Sequence, residues 1–370
     1  MTCRGSGASA AWDALEAGAP AGIDWSPGDG GPRFCAPVPD TYRPHPGIPR
    51  NLTHFLDRGS LIALDAALQA VEHAGLGAGA GDARRFAVAD GLPYRAPGQP
   101  AVFVPYGHLV ARALGVRGPV LSVSGHEASG LAALAAAVRL LERGEADVVI
   151  AGAAQALQEP LLDHIAEQGF ASTSAARPFD AAHMGFVAAE GAAYLVLERE
   201  DHARDRGAEP LAHIAGIADR FDSTAEPLEL SGAPEAGRVM QDALAAAGYL
   251  QNQVDLVVSC ADGRPAADFA QGYGLQRTFG RHAYFAGVTT AAGALGFALA
   301  ASGLVSVVAA LEAMRRQRSF PIAGFETPEQ DVELNYVREA KDERLDTVLV
   351  TSLGLGGTNV AVVLERLRDR

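Results

Sequence analysis

The residues able to do chemistry gather at Gly125-His126-Glu127-Ala128-Ser129-Gly130. A small-residue turn between a strand and a helix normally presents a nucleophile, and the residue at this tip is the acid Glu127. His126 beside it invites an acid–base reading. Adjacent side chains point in different directions, however, and no HExxH follows, so the pair does not read as a metal site. Ser129 lies outside a GxSxG elbow and suits the start of a helix. Cys260, a lone thiol at a strand end with no base nearby, reads as a small buried apolar residue rather than a nucleophile.

The elements that must position these residues follow from periodicity. Pro119-Val120-Leu121-Ser122-Val123 predicts a short strand ahead of the turn. Leu131, Leu134, Val138 and Leu141 predict the helix behind it, stopped by Gly144. Asp147-Val148-Val149-Ile150-Ala151-Gly152 then predicts a buried strand. Earlier, residues 12–18 form a helical island, 61–74 an amphipathic helix and 86–89 a strand. Little β-branched material precedes the first helix, so one sheet edge is expected to be missing or altered. The stretch 90–106 reads as a loop, with Gly91, Pro93, Pro97, Gly98, Pro100 and Pro105. In the second half the pattern predicts strands at 255–259, 347–352 and 359–364, and helices at 266–279 and 299–315.

The chain has 370 residues and 48% hydrophobic content, enough for a large core. Its formal net charge of -14 argues against nucleic acid, which needs clustered Lys and Arg. An acidic carrier protein would need a local basic patch, and net charge does not speak to that. Cys3, Cys35 and Cys260 are widely spaced without a CxxC, so neither a disulfide framework nor a zinc site is expected, and a reducing cytoplasm fits. No signal-peptide pattern and no run of about 18 apolar residues occurs, so no membrane association is expected.

Several of these stretches, in order, resemble the β-ketoacyl synthases, the condensing enzymes of fatty acid and polyketide assembly. They are Arg117-Gly118-Pro119 through Ser129-Gly130, Gly144 to Gly152, and Arg177-Pro178-Phe179-Asp180 with Gly185-Phe186-Val187 and Glu190-Gly191. Pro265 and Asp268 follow, then Gly354-Leu355-Gly356-Gly357-Thr358-Asn359. The resemblance runs from about residue 12 to 365. It implies an α/β, thiolase-like five-layered αβαβα fold with two pseudo-repeated halves, here expected as 1–215, carrying the altered nucleophile turn, and 216–370. The stretch 90–106 corresponds to a longer interface segment beside the acyl tunnel of the family, trimmed here by roughly a few tens of residues.

In that family the tip of the turn is a cysteine that holds the acyl chain, and two histidines stabilise the thioester oxyanion as malonyl loses carbon dioxide. The resemblance places Glu127 at the cysteine, Cys260 at the first histidine, Phe297 at the second and Ala292 at a lysine five residues earlier. Leu355 stands where the family carries a gating phenylalanine. All four catalytic positions are changed, none to a residue able to do the same work. A carboxylate at a helix N-terminus is favoured by about 0.3–1 kcal/mol when exposed, so Glu127 is expected to plug or cap the site. Phe297 is expected to fill the pocket, and Thr358 and Asn359 to satisfy their loop.

The pattern resembles the chain length factor, the inactive half of ketosynthase heterodimers. It implies a catalytically disabled subunit that pairs with an active ketosynthase, meets acyl carrier protein through the complex, and needs no cofactor or metal. Val102, Phe103, Val104, Tyr106 and Leu109 are the tunnel-lining candidates, with a core-packing role open for each. The rival reading is a stand-alone thiolase-fold enzyme performing decarboxylation or acyl transfer with Glu127 or His126 as base.

Overall fold

The computed structural model describes residues 1–26, 31, 33–77, 81–98, 104–226 and 229–367. In chain order the helices are α1 (Ala8–Ala17), α2 (Arg58–His73), α3 (Tyr106–Leu114), α4 (Ser129–Glu142), α5 (Glu159–Glu167), α6 (Glu200–Asp205), α7 (Ala233–Ala247), α8 (Pro265–Phe279), α9 (Ala292–Leu295) and α10 (Ser302–Arg316). The strands are β1 (Ile23–Trp25), β2 (Arg33–Cys35), β3 (Phe86–Gly91), β4 (Val120–Val123), β5 (Val148–Gln155), β6 (Gly191–Glu198) and β7 (His213–Phe221). They continue with β8 (Leu256–Val258), β9 (Gly287–Thr289), β10 (Arg318–Ser319), β11 (Asn335–Tyr336), β12 (Lys341–Asp342), β13 (Thr347–Leu353) and β14 (Thr358–Glu365).

Two sheets carry the fold. The first runs β4-β3-β5-β6 and the second β11-β9-β8-β13-β14-β7. In the first, β3 is parallel to β4 and β5, and β6 is antiparallel to β5. In the second, β8 is parallel to β9 and β13, and β14 is antiparallel to β13. The order β4-β3-β5-β6 is therefore repeated as β9-β8-β13-β14, the two-half architecture expected for a thiolase-like α/β fold. Helices α2 and α3 cover the first sheet, α7 and α8 the second, and α4 and α10 lie between them. That stacking makes five layers.

The composition of the middle layer explains how the sheets close on it. Helix α4 buries Leu131, Ala132, Ala133, Leu134, Ala135 and Ala137, and a core of alanine, valine and leucine joins it to α10 and both sheets. Where the central helices cross, a Cβ on Gly130 would lie 2.7 Å from the Ala300 carbonyl oxygen, and one on Gly303 would lie 2.7 Å from the Leu131 side chain. Only glycine lets the backbones approach this closely.

Three expectations concern these elements, and the first of them changes. Asp90 and Gly91 belong to β3, and Tyr106 opens α3, so the loop is shorter than 90–106. The division at 215/216 falls inside β7, all of which pairs with β14 in the second sheet. Ahead of α1 the structure has only a Thr2–Gly5 bridge, and the edge strand β6 receives one residue, Met1, whose carbonyl accepts from the Ala192 N–H at 3.0 Å. No described helix is long and apolar enough to cross a membrane.

Candidate functional site

Strand β4 leads into the 3-10 turn His126–Ala128 and then α4. His126 takes a left-handed backbone, φ 51°, which throws its ring outward, while Glu127 turns in and is 1% exposed. The neighbours thus face opposite ways, and His126 meets the Tyr94 ring at 5.5 Å instead of the acid. Ser129 starts the helix as expected: its Oγ accepts from the Gly125 N–H at 2.9 Å and donates to the His126 carbonyl at 2.7 Å.

Glu127 has two partners. Its Oε2 accepts from the backbone N–H of Leu355 at 2.8 Å. Its Oε1 lies 3.4 Å from a guanidinium nitrogen of Arg264. Arg264 is 5% exposed and is held chiefly by Asp262, which accepts from its Nε at 3.0 Å and its Nη2 at 2.7 Å. The guanidinium carbon stands 5.1 Å from the ring centres of Phe170 and Phe186 and 5.6 Å from that of Phe297. Burial pulls the guanidinium toward losing its proton, but the charges of Asp262 and Glu127 outweigh this and raise its pKa. Three phenyl faces add cation–π attraction to the same ion. The cluster carries one positive and two negative groups, closed off from water.

The loop bearing Arg264 is shaped by Asp268 of α8. Its Oδ1 accepts from the N–H groups of Asp262 and Gly263, each at 3.1 Å, and its Oδ2 from the Phe179 N–H at 2.7 Å and from His183 Nδ1 at 3.0 Å. Asp180 likewise gathers the N–H groups of Glu326 and Thr327. The spaced Arg177, Asp180 and Asp268 motif residues are thus loop organisers.

The altered positions are brought together in part. Phe297, Ala292 and Leu355 share one apolar cluster with Tyr94, Leu157, Leu161, Phe186 and Leu299, and Phe186 and Phe297 of that cluster face the Arg264 guanidinium. Cys260 packs against the neighbouring cluster under the second sheet, its Sγ accepting from the Leu353 N–H at 3.3 Å. Burial pushes the Cys260 thiol up to about 12, so it holds no thiolate near neutral pH. Asn359 donates to Ser231 Oγ at 2.8 Å and to the Gly357 carbonyl at 3.1 Å, satisfying its loop.

The tunnel candidates fare differently. Tyr106 and Leu109 sit 3% and 4% exposed in the core between α2, α3 and β3, with Ile62, Val88 and Val110. They pack in a different cluster from Phe297. Val104 is partly buried against the same core. Val102 and Phe103 lie outside the described residues.

Sequence reasoning missed Arg264, Asp262, Tyr94 and His164. Tyr94 is fixed through its backbone by the Gln155 amide, at 2.8 and 3.1 Å, and its hydroxyl is 3.3 Å from His164 Nε2. Burial and then the charge of Glu127 push the Tyr94 hydroxyl up to about 12. One signal for Arg264 was available: it is the N-cap residue of α8, just before Pro265. A cation at a helix N-terminus opposes the dipole and needs carboxylates around it.

Residues 107–203 match the description "Beta-ketoacyl synthase, N-terminal domain" and 211–326 match "Beta-ketoacyl synthase, C-terminal domain". A Streptomyces cyaneus protein named as a polyketide beta-ketoacyl synthase is 36% identical over 269 residues, 69% of this chain and 62% of that protein. The chain thus spans less than two thirds of the length of that relative. Nodulation protein E of Rhizobium leguminosarum bv. trifolii is 31% identical over 88% of this chain and 86% of that protein. Among solved structures, a beta-ketoacyl synthase from Burkholderia phymatum superposes with a TM-score of 0.89 at 26% identity, covering 99% of this chain and 97% of that one. The ishigamide ketosynthase/chain length factor superposes with a TM-score of 0.90 at 21% identity over 100% and 97%, a likeness of fold. With both halves matched and one relative covered over most of its length, the chain belongs to the β-ketoacyl synthase family.

Proposed function

We propose that this chain is a catalytically disabled, chain-length-factor-type subunit that pairs with an active ketosynthase and shapes the space for an acyl chain grown on a carrier protein. The observation that carries the reading is the state of Glu127. At the position where the family holds acyl groups on sulfur, this acid is buried and bound to Leu355, a member of the apolar cluster, and to Arg264. A carboxylate so engaged neither attacks a thioester nor leaves room for one. The thiol of Cys260 is no substitute.

Two surface features support a partner. Strand β4 is an edge, hydrogen-bonded to β3 on one side, with Val120, Leu121 and Val123 half-buried. Proteins seldom leave such an edge uncovered, and a second ketosynthase-fold subunit would cover it. The stretch 41–58 is a local basic patch on a chain of charge -14: among the described residues Arg43 and Arg50 are exposed, and neither forms an ion pair with a carboxylate. Such a patch suits an acidic carrier. The name of the Streptomyces relative supports a place in polyketide assembly.

The test is co-expression with a cysteine-containing ketosynthase, followed by mass measurement. The expected result is a complex of one chain of each. The purified chain alone is expected to take up no radiolabelled acyl group from a thioester and to release no carbon dioxide from malonyl-carrier protein. Turnover by the chain alone that Glu127→Ala abolishes would overturn the proposal in favour of a stand-alone decarboxylase or acyltransferase. A chain that assembles only with itself would overturn it as well.

A further inference from the structure

The glycine-rich loop Gly354-Leu355-Gly356-Gly357 joins β13 to β14 directly against the Glu127 turn. Glycine is required where they meet: a Cβ on Gly354 would lie 2.2 Å from the Gly125 carbonyl oxygen. Gly356 and Gly357 have φ 74° and 99°, a backbone with wide conformational freedom. The loop's amides are satisfied in two ways. Three bond to backbone carbonyls: Gly354 to Thr358 at 2.7 Å, Gly356 to Glu229 at 2.9 Å and Gly357 to Gly354 at 3.2 Å. The fourth, Leu355, donates to the Glu127 carboxylate. This bond spans 228 positions of sequence and ties the tip of the loop to the N-terminus of α4.

The geometry points to Glu127 as a latch. Its carboxylate is a captive ligand of an anion site made by the Leu355 N–H and the Arg264 guanidinium, and by filling that site it holds the loop shut and Leu355 inside the apolar cluster. Three observations bear on this together. The bond is charge-assisted, the stronger kind, and sits where no water competes. Arg264 is itself immobilised by Asp262, so the carboxylate is gripped from a fixed point. Leu355 is 2% exposed and packs in the cluster containing Phe297 and Tyr94, so a loop pinned at its N–H also seals the site. Glu127 is in this sense a positioning residue. The inference concerns the isolated chain and does not depend on a ketosynthase partner.

The test is hydrogen exchange of the Leu355 amide in the intact chain, because exchange reports local opening directly. Glu127→Ala is expected to speed it by about tenfold or more, with smaller effects away from the loop. Acetate, but not chloride at equal ionic strength, is expected to slow exchange again in the Ala variant and to leave the parent chain unchanged. Should Glu127→Ala fail to fold, Glu127→Asp keeps the charge but is one methylene too short to hold both partners, and it is expected to lose protection at Leu355. Exchange at Leu355 within about threefold of the parent chain in a folded Ala or Asp variant overturns the latch. Faster exchange that acetate does not reverse also overturns it. Either result leaves the pairing proposal standing, and failure to find a partner leaves the latch standing.

Discussion

In the first half of the chain, β4 passes through the turn His126–Ala128 into α4. In the second, the chain after β9 passes through Leu299–Ala301 into α10. The two turns are built alike. Each is a three-residue 3-10 turn whose first residue is left-handed, His126 at φ 51° and Leu299 at φ 44°, and each ends in an alanine and a serine that opens a central helix. They touch one another across the pseudo-repeat. At the middle position the first half has Glu127 and the second Ala300.

The difference separates scaffold from site. A strained backbone at the tip of such a turn is easily taken as a mark of function, yet the same strain recurs at Leu299, whose side chain offers no chemistry. The left-handed residue belongs to the architecture, which needs a sharp entry into each central helix. What distinguishes the first turn is a buried acid and its partners. Those partners come from the second half: Asp262 and Arg264 follow β8, and Leu355 follows β13.

The sharpest way to break this comparison is to make the second turn copy the first. Ala300→Glu would bury a carboxylate with no cation opposite it, in a site with 0% exposure, and is expected to cost more than about 4 kcal/mol in chemical denaturation. If the variant is instead as stable as the parent chain, the two turns are interchangeable and Arg264 is not what permits Glu127. Removing the cation comes next: Arg264→Leu leaves two buried acids unpaired and is expected to cost about 3–5 kcal/mol by the same measurement. Third, the two left-handed residues should respond oppositely to glycine. Leu299→Gly loses a buried side chain and is expected to lose about 2–4 kcal/mol of stability, whereas His126→Gly only relieves backbone strain at an exposed position and is expected to gain up to about 1 kcal/mol.

The comparison extends to the strands that precede these features. Strand β3 carries Asp90 next to its last residue; this acid is fully buried, accepts from the Tyr194 hydroxyl at 2.6 Å and the Gly107 N–H at 2.9 Å, and is pushed by burial up to about 7. The folded state therefore holds this proton where the unfolded chain has released it. The contribution of Asp90 to stability is complete below the ordinary carboxylate range and is lost as pH rises toward about 7. Asp90→Asn is expected to flatten the stability profile across that window, as read from denaturation midpoints between those limits. An unchanged profile would mean that Asp90 does not titrate there.

Much of this architecture could be read along the chain, because strands and amphipathic helices repeat locally. The β4–α4 unit, the buried β5 and the paired β13 and β14 all announce themselves by period. The residues at 127, 260, 292 and 297 were singled out from motifs on either side of them, and the structure buries 127, 292 and 297. The extent of β3 was not: Asp90 and Gly91 look like loop residues until Tyr194 and the start of α4 are seen packed against them. Tyr106 and Leu109 suggested a tunnel wall by order alone, and the structure buries both in the cluster between α2, α3 and β3.

The sequence by itself determined the class of fold, the family and the presence of an acid at the tip of the turn, since each is written in local composition or ordered motifs. Only the tertiary structure decided what Glu127 does. Its cation lies 137 positions away and its amide partner 228, so no period or spacing joins them. An ion pair between distant loops exists only once two sheets have closed on α4 and α10 and excluded the water that would otherwise solvate each charge separately.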